Sequence, residues 1–115
     1  MRIVELPEIM AALDEEAAIA AVEEGFRRLH RGQVRLAEVG HLNFVDPPGD
    51  CHVKGGHIDG DDIFVFKFAT SFYRNPERGL SSSNGCMIVA SAETGEQLAM
   101  LRDEGLLTDT RTAIA

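Results

Sequence analysis

The chain has 115 residues, 44% of them hydrophobic and 26% charged, which is the make-up of one ordinary globular domain. Its formal charge of -8, from 19 acidic against 11 basic residues, argues against a phosphate-tracking nucleic-acid binder and against a polybasic membrane anchor, because both need clustered positive charge. No apolar run approaches the roughly 18 residues of a spanning helix. The acidic start MRIVELPEIM lacks a signal peptide's layout, and Cys51 and Cys86 have neither disulfide-scaffold number nor metal-ligand spacing, so a reduced cytoplasmic protein without a metal is expected.

In chain order, residues 3–6 suit a short strand or lead-in, and residues 7–13 a helical turn or two opened by Pro7. Asp14 is placed to cap the next helix, with Glu15 and Glu16 in its first turn. Ile19, Val22, Phe26 and Leu29 recur at steps of three and four, forming one apolar stripe. Arg27, Arg28, His30 and Arg31 then suit the helix's negative end, and Gly32 its C-cap. Residues 34–44 read as one strand with poor alternation. Pro47 and Pro48 make 46–50 a loop. Residues 51–58 and 63–70 form a hairpin, and 85–92 with 97–103 form a second. The intervening 71–84 is predicted as a long loop, a length that is usually functional or disordered. Residues 106–115 start a helix capped by Thr108 or Asp109. No Gly, Asn or basic turn closes that helix, so the chain is expected to be cut within it and to be one lobe of a longer protein.

Lys67 is the residue with the clearest chemical interest. It lies in IFVFKFA, with Ile63, Val65 and Ala69 on its own face and Phe64, Phe66 and Phe68 on the other. With both faces at least partly covered, its ammonium would be poorly solvated and its amine usable for proton transfer near neutral pH. Alternatively it is an edge-strand lysine that snorkels to water. If Asp59 meets Asp62 across Gly60 and Asp61, Lys54 faces Lys67 and His52 faces Ala69 on one side of the sheet, an anion pocket or an ordinary polar face; His57 falls on the other side. Arg111, placed in the first turn of the last helix, would oppose the dipole unless an anion joined it there. It could equally be a surface arginine paired with Asp109 or Glu104. The tract Ser81-Ser82-Ser83-Asn84-Gly85 suits a ligand's phosphate or amide, or simply a turn.

The segments FVFKFATSFYRNPERGLSSSNGCMIV and ETGEQLAMLRDEGLLTDTRTAIA resemble the ornithine cyclodeaminase / μ-crystallin family, most specifically from about Gly49 to Ala115. The resemblance implies an α+β fold, with N-terminal helices packed on a mixed, largely antiparallel sheet. In this family such a lobe, here residues 1–115, binds substrate and forms a homodimer, and a Rossmann domain holding NAD or NADP follows it. It implies action on a small amino or imino acid: ornithine cyclisation, imino-acid or ketimine reduction, or alanine oxidation. A non-catalytic μ-crystallin-like binding or dimerisation module is the other reading. Position by position it implies Lys67 as the proton-handling lysine, Arg111 as the carboxylate clamp and Ser82 near the nicotinamide. Many members carry a further carboxylate-binding arginine upstream, after a Pro-rich segment. Here that region reads RLAEVGHLNFVDPP, which leaves His41, His52 or Lys54 for the role and favours reductase or dehydrogenase chemistry over ornithine chemistry. Without the dinucleotide domain and its acidic catalytic residue, the chain alone is expected to be inactive.

Overall fold

Two hairpins make the centre of the fold. The computed structural model describes Met1 to Ala115. Strand β4 (Gly49–Ile58) pairs antiparallel with β5 (Ile63–Phe72), and Lys54 lies opposite Lys67 and His52 opposite Ala69, the register expected from the turn. Strand β6 (Ser83–Ser91) continues from β5 and turns back as β7 (Gln97–Arg102). The N-terminal β1 (Arg2–Glu5) adds parallel to β7, so the seven-stranded sheet is mixed but largely antiparallel.

Three elements differ from the sequence reading. Residues 34–44 are two strands, β2 (Val34–Leu36) and β3 (Gly40–Phe44), both antiparallel to β4. Between them Ala37, Glu38 and Val39 lie against only Lys54 and Gly55, an irregularity that accounts for the broken alternation. The long loop is shorter than predicted: β5 runs on to Phe72, a 3-10 turn (Asn75–Arg78) follows, and β6 begins at Ser83. The last helix, α3 (Leu106–Ile114), starts after Gly105 at φ 88°, and Thr108 and Asp109 lie inside it. Its first amides are satisfied by Asp103, whose carbonyl accepts from Leu106 N and whose Oδ2 accepts from Leu107 N, both at 2.9 Å.

The remaining helices are α1 (Leu6–Ala12), with Pro7 in its first turn, and α2 (Glu15–His30), where Asp14 accepts from Glu16 N at 3.2 Å. α2 and α3 lie over one face of the sheet, where α2's Val22, Phe26 and Leu29 line one cleft with Ile58, and Leu107 of α3 lines another with Met87. The opposite face carries Leu42, Phe66 and Phe68, which are 62%, 38% and 47% exposed. Both faces of the Lys67 strand are thus partly covered, as expected, but unequally. Helices cover only the Lys67 side, and the phenylalanine side is open in the single chain.

Two glycines are expected to respond to alanine with opposite signs. A Cβ at Gly85 would stand 2.4 Å from the Phe68 carbonyl oxygen, backbone that cannot step aside, so Gly85→Ala should destabilise by about 1–3 kcal/mol. Gly25, inside α2 with nothing near its would-be Cβ, should gain about 0.5–1 kcal/mol as alanine. Urea midpoints at constant slope measure both.

Candidate functional site

The period of two along β4 and β5 sends Asp50, His52, Lys54, Lys67 and Ala69 to the helix-covered face. Lys54 and Lys67 are direct cross-strand partners there, Lys54 exposed and Lys67 half-buried. Arg111 reaches the same face from α3. Burial lowers the Lys67 pKa from its ordinary 10.5, and the neighbouring Lys54 and Arg111 charges lower it further; Asp103 opposes them. Those charge effects bring Lys67, Lys54, Arg111 and Asp103 into one electrostatic neighbourhood.

Arg111 is not in the first turn of its helix. It is the sixth residue of α3, in the last turn, so the amides of the helix N-terminus are not beside it and its charge suits the helix dipole instead of opposing it. It forms no ion pair with Asp109 or Glu104 either. Its guanidinium carbon stands 5.7 Å from the centre of the Phe26 ring, a cation–π distance, at the rim of an apolar cleft of about 260 Å³. α2, β2 and Ile58 supply the apolar wall of that cleft.

His52 lies beside the lysine pair. Its ring stacks on His41, its cross-strand partner on β3, with centres 4.3 Å apart and planes 11° from parallel. Its Nδ1 is 3.5 Å from Asp50 Oδ1, and the other oxygen of Asp50 accepts a 2.5 Å hydrogen bond from Tyr73 Oη. That bond, to a carboxylate, raises the Tyr73 pKa. His57 is on the open face, where its Nδ1 meets the Ile63 carbonyl oxygen at 3.0 Å. Ser82 precedes β6, five residues before the Lys67 partner Met87, or roughly 16 Å along a strand. The structure thus gathers Lys67, Lys54, Arg111 and His52 on one face and leaves Ser82 at its far end.

Two members of this neighbourhood escaped the sequence reading. Asp103, 1% exposed, both caps α3 and opposes with its charge the lowering of the Lys67 pKa. The available sign was an acidic residue shortly before an apolar helix start. Tyr73, 60% exposed, holds Asp50 through its hydroxyl.

The profile of the ornithine cyclodeaminase/mu-crystallin family matches residues 2–115. A protein of Rhizobium meliloti named as a dehydrogenase is 41% identical over 103 residues, covering 90% of this chain and 31% of its own length. An archaeal alanine dehydrogenase, solved as a dimer with bound NAD, is similar at TM-score 0.87 and 28% identity, over 99% of this chain and 34% of that one. The Δ1-pyrroline-2-carboxylate reductase of Thermococcus litoralis, solved with NADH and L-proline, shares the fold at TM-score 0.91 and 19% identity, over 99% of this chain and 35% of its own. The chain therefore spans about a third of the length of these relatives.

The charge arrangement has a measurable consequence. Lys54→Met or Arg111→Met should move the Lys67 titration upward toward 10.5, and Asp103→Asn should move it further down, as read by NMR of labelled lysine. Folded Lys67 holds its proton less tightly than the unfolded chain does. Its cost to stability is therefore full at neutral pH and fades as pH rises through the folded pKa toward 10.5. Lys67→Met should accordingly melt no lower than the natural sequence at pH 7, and the gap should close at alkaline pH.

Proposed function

This chain belongs to the ornithine cyclodeaminase/mu-crystallin family, and on that premise we propose that it is the substrate-binding and dimerisation lobe of a two-domain, nicotinamide-dependent enzyme acting on a small amino or imino acid. Reduction or oxidation at the carbon–nitrogen bond is preferred to ornithine cyclisation, in keeping with relatives named as dehydrogenases and an imino-acid reductase. The observation that carries the reading is a half-buried lysine that faces Lys54 across the strands on the helix-covered face and feels the charge of Arg111.

The chemistry follows from that electrostatics. Arg111 takes the substrate carboxylate, because a guanidinium binds it in a planar fork. The incoming negative charge offsets Arg111 and Lys54, and the Lys67 pKa rises toward its ordinary value. Lys67 then holds a proton in the complex and gives it to the substrate nitrogen; in the reverse direction it takes that proton back. Binding and proton delivery are thereby coupled, since the amine is charged when a substrate anion lies beside it.

A nicotinamide cofactor, NAD or NADP, supplies or accepts the hydride when bound. The residues here do not form a dinucleotide cradle. The one strand–glycine–helix junction, Gly105 before α3, has its amides taken by Asp103. A segment outside this chain would hold the phosphates, with Ser82 as this lobe's candidate contact near the ring. The lobe by itself is expected to be inactive.

The open sheet face is read as the homodimer surface. Leu42, Phe66 and Phe68 form an apolar row that no element of this chain covers, and a second copy would bury it. The archaeal alanine dehydrogenase relative is described as a dimer.

In the full-length protein, Lys67→Met should lower kcat at least about a hundredfold with the fold intact, the loss expected of a missing acid–base group. Arg111→Met should act mainly on KM. Steady-state kinetics with alanine, proline and their imino counterparts test both; unchanged kcat in the lysine variant refutes its role. Phe68→Asp should turn a dimer into a monomer in sedimentation velocity, whereas a dimer that persists assigns association to another surface.

A further inference from the structure

We propose that the stacked pair His41–His52 is a proton sensor built into the helix-covered face. Binding of a carboxylate to that face is coupled to uptake of one proton by the pair, so affinity rises as the pH falls from 8 to 6. This rests on the reading of the face as the substrate site and adds its regulation.

Imidazole is the side chain whose charge ordinarily changes between pH 5 and 8. The two rings are cross-strand partners on β3 and β4, with centres 4.3 Å apart and planes 11° from parallel. Two imidazolium ions held face to face at that distance repel, so the pair carries one charge or none. Nitrogen lone pairs lie in the ring planes, so stacked rings do not converge on one metal ion, and a proton is what the pair can take.

His52 is where that proton goes. Its Nδ1 is 3.5 Å from Asp50 Oδ1, and the Tyr73 hydroxyl fixes Asp50 by its other oxygen. The His52 side chain is 37% exposed, so water can deliver the proton. His41 is exposed on β3 and in no ion pair.

The charges around His52 oppose one another. On β4, Asp50 precedes it by two residues and Lys54 follows it by two, on the same face. On β5, Ala69 is its direct partner, with Ser71 and Lys67 on the diagonals. β3 adds Asn43 opposite Asp50, and β6 brings Gly85 and Met87, none of them charged. From the helices, α2 turns Ala18, Ala21 and Val22 to this side, and α3 adds Arg111, whose charge reaches Lys67. Asp50 therefore favours a proton on His52, and the two lysines disfavour it. A bound carboxylate offsets the lysines and acts alongside Asp50, so the proton enters with the anion. Linkage is reciprocal: proton uptake on binding appears as tighter binding at lower pH. An arginine in the place of His52 would be charged throughout this range and give no such response.

The test titrates propionate, which stays ionised from pH 6 to pH 8, into the full-length protein by calorimetry in two buffers of different ionisation enthalpy. Propionate should bind at least about fivefold tighter at pH 6 than at pH 8, with net proton uptake. Lys67 can also gain a proton, so variants decide the source. His52→Gln and His52→Arg should each leave a gain below about twofold, since neither side chain titrates there. His41→Phe, which keeps a stacked ring without charge, should retain the full gain. Binding that ignores pH, a larger gain left in either His52 variant, its loss in His41→Phe, or no propionate binding at either pH would overturn the proposal. The enzyme reading is scored separately, by turnover of amino and imino acids. A protein with turnover and pH-independent propionate binding keeps its activity and loses the sensor. One with the His52-dependent gain and no turnover keeps the sensor and loses the enzyme reading.

Discussion

The register between β4 and β5 is the constraint on which everything else hangs. Strand side chains alternate with a period of two, so a slip of one residue would carry Lys54 away from Lys67 to the phenylalanine side. The register is pinned at both ends. At the turn, Asp61 N donates to the Ile58 carbonyl and His57 Nδ1 meets that of Ile63. At the far end, Gly49 opposes Phe72 where a Cβ would stand 2.8 Å from the ring, and Tyr73 Oη closes onto Asp50. Between them, Gly55 lies under the Phe66 ring, where a Cβ would come within 2.6 Å. The glycines let the aromatic rings lie flat on the neighbouring strand, and the aromatic row in turn fixes which face the lysines occupy.

That arrangement sets local stability against chemistry. Two lysines face each other in the body of a sheet, one of them half-buried, with an arginine added from a helix. Such groups are tolerated when the surrounding structure determines them strongly, and they gather at functional sites more often than elsewhere. Asp103 moderates the repulsion without removing it, because its carboxylate is already committed to the start of α3. One side chain thereby links helix placement to site electrostatics: α3 starts where Asp103 can accept from Leu107, and that start carries Arg111 toward the lysines.

Much of this was legible from residue order. The stripe on α2, the Asp14 cap, both hairpins and the facing of Lys54 with Lys67 follow from period, turn residues and charge, all local. The misreadings have local causes too. The irregularity at Ala37–Val39 breaks alternation with only Gly40 after it as a local mark, so two strands read as one. The serine tract hides the start of β6, because Ser83 pairs with Ser71 through its backbone whatever its side chain prefers. The start of α3 was sought at Thr108 or Asp109, the usual capping residues, but a glycine in the left-handed region and the more distant Asp103 do that work.

Sequence by itself determined the element types, the central hairpin register and Lys67 as a lysine in an apolar strand, since each depends on neighbours within a turn or two of chain. Tertiary structure alone decided that β1 joins β7, that the charge of Asp103 reaches Lys67, that His41 stacks on His52 and that the phenylalanine face stays open. These depend on how separate elements lie against one another, and no spacing along the chain encodes a contact between residues whose separation is set by the fold.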